Sequence, residues 1–140
     1  MMHCNYWIMP GLAWLSAGLC KFLINCLRER RWAVDLIGYG GMPSNHATIV
    51  SSMAMLVGLR EGFDSAAFGV ALTLAVIVIL DASSLRRQIG LQANRINQLQ
   101  SQLPISMQTG WIGLRERMGH TPLEILAGAL LGSGLAFWLA

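Results

Sequence analysis

The sequence has little charge, and Lys21 is its only lysine. Charged residues make up 12% of the 140 residues, whereas hydrophobic residues make up 54%. An average soluble domain carries about 25% charged residues, roughly twice this share. The composition therefore predicts a protein whose solvent is lipid, and it argues against an ordinary soluble enzyme.

Cysteine is also scarce. Cys4, Cys20 and Cys26 are an odd number and have no C-x-x-C spacing, so we interpret them as buried thiols and expect neither a disulfide nor a bound metal. The first residues, MMHCNYW, contain no basic region and precede no small-residue cleavage site. A cleaved signal peptide is therefore not expected.

The formal net charge of +3 does not indicate nucleic-acid binding. The nine arginines stand in the stretches between apolar runs instead of along one soluble basic face. Four apolar segments follow one another, at about 6–27, 46–60, 65–80 and 122–139. They predict an all-α fold of one domain over 1–140, an integral membrane helical bundle of about four transmembrane segments. Segment 46–60 is short, so whether it and segment 65–80 span fully or form a shallow hairpin stays open.

One further helix, at about 82–103, is predicted to be amphipathic. Its apolar stripe recurs at spacings of 4, 3, 4, 3 and 4 among Arg, Gln and Asn, through Leu85, Ile89, Gln92, Ile96, Leu99 and Leu103. Asp81 or Ser83 can serve as its N-cap, and Pro104 follows its end. Asp81 is alternatively the partner of an arginine.

The basic residues are distributed unequally between the two ends of the four segments. One side receives eight of the nine arginines, namely Arg28, Arg30, Arg31, Arg86, Arg87, Arg95, Arg115 and Arg117, and the other side receives Arg60. The positive-inside rule makes the richer side cytoplasmic. We therefore expect an inner membrane, or a thylakoid-type membrane, with the basic loops in the cytoplasm.

Two histidines, His46 and His120, stand at the starts of two apolar helices that enter the membrane from the basic side. Helix N-termini attract anions through their free N–H groups and the helix dipole. Beside them, Gly40 and Gly41 permit close approach of the backbone, and the candidate donors to a phosphate are Ser44, Asn45, Arg86, Arg87 and Lys21. Taken singly, the simpler explanations are favoured, with His46 as a histidine at a helix end in the interface and Thr121 with Glu124 as a capping box.

Three stretches carry a family resemblance: GGMPSNHATIVSSMAMLVG, DASSLRRQIGLQANRIN and GHTPLEILAGALLG. In order and spacing they resemble the divergent branch of the type-2 phosphatidic acid phosphatase superfamily, which is related to the vanadium haloperoxidases. The proven enzymes of that superfamily use a Lys-x6-Arg-Pro motif, a Pro-Ser-Gly-His motif and a Ser-Arg-x5-His-x3-Asp motif.

The resemblance implies a role for each matching residue. Lys21 and Arg28 match the first motif, with Glu29 in place of proline. Pro43, Ser44 and His46 match the second, with Asn45 in place of glycine, and His46 would protonate the leaving alkoxide.

In the third motif, His120 would be the nucleophile and Glu124 would orient its ring. Leu114 stands where that motif has arginine, and Arg86 with Arg87 is the expected substitute. The mechanism requires no metal and no other cofactor.

The sequence thus predicts a membrane phosphatase that hydrolyses an isoprenyl or phosphatidyl phosphate or diphosphate at a cytoplasm-facing site. Its expected partners are membrane lipids and an anionic lipid headgroup, in a homo-oligomer or a larger membrane complex. The alternative is a non-catalytic membrane subunit or assembly factor that retains a degenerate phosphate site. The replacement of the motif arginine by Leu114 favours that alternative.

Overall fold

The computed structural model describes residues 5–32, 41–104, 110, 112–116 and 118–140. Cys4, Gly40 and Arg117 lie outside these described residues. Within them every regular element is helical, which confirms the predicted all-α fold. The elements are α1 (Met9–Glu29), α2 (Asn45–Glu61), α3 (Ala66–Leu80), a π-helical turn (Asp81–Leu85), α4 (Arg86–Ser101) and α5 (Pro122–Leu139).

Three helices are long and apolar enough to cross a membrane: α1 with 21 residues, the continuous helix from Ala66 to Ser101 with 36, and α5 with 18. The fourth helix, α2, has 17 residues and packs against α1, α3 and α5. It is therefore the central helix of the bundle, surrounded by the three that are long enough to span.

Small residues allow α2 and α5 to approach closely. A Cβ atom added to Gly128 would lie 2.5 Å from the carbonyl oxygen of Ser44, and one added to Gly132 would lie 2.2 Å from that of Thr48. These glycines carry the G-x-x-x-G spacing that is typical of helix pairs in membranes. The close contact fixes the start of α5 beside the start of α2.

At the other end of the bundle, the start of α1 meets the ends of α2 and α5. The apolar core there consists of Met9, Leu56, Ala136 and Leu139. The Arg60 guanidinium donates to the carbonyl oxygen of Leu139 at 3.1 Å and lies over the Tyr6 ring, 5.4 Å from its centroid. This cluster joins α1, α2 and α5 at this end of the bundle. It thereby keeps α2 and α5 aligned along their length.

The helix α3 continues into α4 without a break, through the π-helical turn. The N–H of Arg86 donates to the carbonyl oxygen of Asp81, and the residues on both sides keep helical backbone angles. No side chain caps α4, because Ser83 donates to the carbonyl oxygen of Leu80 instead. The prediction of a new helix start capped by Asp81 or Ser83 is therefore wrong.

Residues 112–116 and 118–120, here called the return segment, run back along α4. The Asn97 side chain makes two hydrogen bonds of 2.8 Å with the backbone of Leu114, and Glu116 accepts hydrogen bonds from Asn97 and Asn94. Those hydrogen bonds, with Asn97 first, hold the pKa of Glu116 below its usual range. At Gly90 the carbonyl oxygen of Glu116 approaches so closely that a Cβ would lie 2.3 Å from it. The return segment thereby places His120 beside the π-helical turn.

Candidate active site

Three parts of the chain meet at one end of the bundle: the start of α2, the π-helical turn and the start of α5. Two backbone hydrogen bonds join them. The N–H of Ser44 donates to the carbonyl oxygen of Glu124 at 2.9 Å, and the N–H of His120 donates to that of Ala82 at 3.0 Å. Because backbone atoms make both bonds, the relative position of the three parts does not depend on flexible side chains.

His46 and His120 face each other across this junction. Their ring centroids lie 5.8 Å apart, and the ring planes are inclined by 58°. His46 Nδ1 is buried, and among the described residues it has no hydrogen-bond partner; the same holds for Asn45 Oδ1. Buried polar atoms of this kind are uncommon in proteins and indicate a place where a polar ligand or water binds.

His120 is oriented by a carboxylate. Its Nδ1 lies 3.0 Å from Oε2 of Glu124, and the two side chains are only 10% and 14% exposed. Because an ionised carboxylate only accepts hydrogen bonds, a neutral His120 ring that bonds to it donates from Nδ1 and keeps its lone pair on Nε2. The same Oε2 accepts the N–H of Thr121, and Thr121 Oγ1 accepts that of Glu124, which completes the capping box. Glu124 therefore orients His120 and starts α5 at the same time.

The charged groups that act on His46 include two cations. Arg86 and Lys21 both interact electrostatically with His46, and Lys21 also interacts with Glu124. Arg86 pairs with Asp81 as well, at 3.8 Å between Nε and Oδ2. Positive side chains beside two helix N-termini form an environment that favours an anion.

The remaining predicted phosphate ligands are placed differently. Ser44 is fully buried, and its hydroxyl oxygen accepts the N–H of Ala47 at 3.4 Å, so in this structure it serves as the N-cap of α2. Arg87 and Arg28 are both exposed. The structure therefore brings together Lys21, Arg86 and Asn45 with His46 and His120, whereas Arg87 lies beside Gly119 and is exposed.

The structure also shows where Leu114, which stands in place of the motif arginine, lies. Leu114 lies against Asn97, which is 11 residues beyond Arg86 on α4 and hence about 16 Å away along the helix. A side chain at that position is remote from the histidines, whereas Arg86 follows the π-helical turn beside them. Sequence periodicity did not indicate this turn, because a single wider helical turn leaves no regular pattern.

No group of three or more His, Cys, Asp or Glu side chains in the described part of the chain is placed to hold a metal ion. The ionisable residues of the junction are instead two histidines, two acidic residues and two cations. Histidines and cations are side-chain types that can act as nucleophile, acid and anion stabilisers in phosphoryl transfer.

Comparison with known proteins identifies a family and a relative for this chain. The sequence profile of the divergent PAP2 family matches residues 3–135. The uncharacterized membrane protein YuiD of Bacillus subtilis (strain 168) is 34% identical over 149 aligned residues, which cover 97% of this chain and 94% of that protein. No solved structure matches the chain. The match to a membrane protein agrees with the three helices of membrane-spanning length.

Proposed function

The chain belongs to the divergent PAP2 family, and from that premise we propose that it is a membrane phosphatase that hydrolyses a lipid phosphate or diphosphate through His120. The observation that carries the proposal is the pair of facing histidine rings, whose centroids lie 5.8 Å apart and of which one is oriented by the partly buried Glu124 carboxylate. A phosphate group between the rings would have a nucleophile on one side and a proton donor on the other.

The reaction proceeds in two steps. The lone pair on His120 Nε2 forms a bond to phosphorus while the bond from phosphorus to the lipid oxygen breaks, and a proton from His46 passes to that leaving oxygen. Water then attacks the phosphohistidine and loses a proton to His46, which releases phosphate and restores both rings. Arg86 and Lys21 stabilise the charge on the equatorial oxygens in both steps.

The expected level of the site in the membrane favours a lipid as the substrate. Lipid phosphates lie at the headgroup level, and we expect that level at the π-helical turn, where the apolar α3 ends and the arginine-bearing α4 begins. The site lies beside this turn, so a bound phosphate would leave its isoprenyl or acyl chain in the bilayer. The two reaction steps would be the same for phosphatidyl and isoprenyl phosphates.

Phosphate release tests the proposal directly. Purified full-length protein in detergent, given polyprenyl phosphate, polyprenyl diphosphate and diacylglycerol phosphate in turn, is expected to release inorganic phosphate from at least one of them. If it releases none, the catalytic proposal is wrong. The alternative, a non-catalytic membrane subunit, is favoured by the exposed apolar side chains of α4, and it would combine an inactive site with a stable complex.

The site is expected to face the cytoplasm of the inner membrane. Arg86, Arg87 and Arg95 lie at the histidine end of the bundle, and Arg60 lies at the opposite end. In a cysteine-free background, a Gln98→Cys variant should react with a membrane-impermeant maleimide only after the cells are opened. An Asp64→Cys variant, at the opposite end, should react in intact spheroplasts. The reverse pattern would contradict this orientation.

A further inference from the structure

The helix α4 has an apolar row that the described residues leave uncovered. Leu85, Ile89, Ile96 and Leu99 are each at least 40% exposed. The return segment covers a different side of the helix, where Gly90 and Ala93 are buried. An exposed row of this length on a helix indicates a surface that another helix covers.

The spacing of the row is that of a two-stranded coiled coil. The row runs through residues 85, 89, 92, 96 and 99, with alternating steps of four and three. In heptad terms, Ile89 and Ile96 occupy position a, whereas Leu85, Gln92 and Leu99 occupy position d. Isoleucine at a with leucine at d favours two parallel helices, and a polar residue within the row selects one register.

The bilayer cannot cover this row along its length. The continuous helix from Ala66 to Ser101 has 36 residues and is therefore about 54 Å long, compared with a hydrocarbon core of about 30 Å. Because α3 and α4 form one continuous helix, we expect α4 to project away from the membrane instead of lying on it. A second copy inserted in the same orientation presents its own α4 parallel to the first and at the same height.

The flanking positions are compatible with that pairing. Arg95, at position g, would face Gln100 at position e of the second copy. No like charges meet, and the two copies of Gln92 can hydrogen-bond to each other only in register. We propose that α4 forms a parallel, in-register two-stranded coiled coil with α4 of a second copy of this chain. The pairing places two histidine sites at the same level of the membrane.

Cross-linking in membranes tests the pairing. In a background in which alanine replaces the three cysteines, a Leu99→Cys variant is expected to form a disulfide-linked species of twice the 15.3 kDa chain mass on oxidation. The matched control is Gln98→Cys. Gln98 is exposed and adjacent to Leu99, but it lies outside the proposed contact between the two helices. Its yield is expected to be about tenfold lower, because position c of two paired helices points apart.

A second measurement keeps the native cysteines. The wild type in mild detergent is expected to have the mass of a dimer, an Ile96→Asp variant that of a monomer with unchanged helix content, and a Gln98→Asp variant that of a dimer. Equal cross-linking at positions 98 and 99, a wild-type monomer or a wild-type trimer would each overturn the proposal. A different protein bound to α4 in equal amount to a monomeric chain would overturn it as well.

Discussion

Replacement of His120 by alanine is expected to lower kcat/KM on a lipid phosphate by about 10³-fold or more, because the variant has no atom that can form the phosphoenzyme. In the structure His120 Nδ1 is held by Glu124, so only Nε2 is available to attack. The backbone N–H of His120, which bonds to Ala82, is retained in the variant. The fold of the junction should therefore persist, and the loss should appear in kcat.

The matched control is Asp64→Asn, an exposed position in the turn between α2 and α3 at the opposite end of the bundle. This variant should hydrolyse the same substrate at the wild-type rate. Steady-state kinetics of the three proteins at equal concentration make the comparison. If His120→Ala were as active as Asp64→Asn, another group would be the nucleophile.

Replacement of Gly132 by alanine is expected to reduce the free energy of unfolding by about 1–3 kcal/mol or more. The added methyl group would lie 2.2 Å from the carbonyl oxygen of Thr48, a backbone atom that cannot rotate away. The helices α2 and α5 would have to separate, and the histidine at the start of each would move with them. Activity should therefore fall together with stability.

Replacement of Gly134, on the same helix, is a control for which the opposite effect on stability is expected. A Cβ at Gly134 meets no atom within 4 Å, so alanine there adds no clash. Because alanine is a better helix former than glycine by about 1 kcal/mol, Gly134→Ala should be neutral or stabilising. Thermal unfolding in detergent, followed by circular dichroism, distinguishes the two variants. Equal unfolding temperatures would show that the close α2–α5 contact does not stabilise the fold.

The helical membrane fold could be predicted from the sequence because its signals are local. Apolar runs of spanning length need no tertiary information. The sequence T-P-L-E from Thr121 to Glu124 contains the capping residues of α5, and the structure has that capping box. The G-x-x-x-G spacing of Gly128 and Gly132 is a local pattern typical of close helix contacts in membranes, and both glycines pack against α2.

The features that were missed depend on contacts between distant residues. A helix start was expected near Asp81 because the apolar run ends there, but backbone hydrogen bonds continue through the π-helical turn. Likewise, spacing from His120 drew attention to Leu114, although the backbone pairing with Asn97 places that residue along α4. Counting residues along a chain does not determine distance once the chain leaves regular helix.

Detection of the phosphoenzyme tests the histidine mechanism most directly. A lipid phosphate labelled with ³²P would be mixed with the purified enzyme, and the reaction would be quenched in alkali within one turnover. The protein would then be digested for peptide mapping. Radioactive phosphohistidine is expected on the peptide that contains His120, and none is expected in the His120→Ala variant. Phosphate release by the wild type without any labelled peptide, or a label that persists in His120→Ala, would contradict the assignment of His120 as the nucleophile.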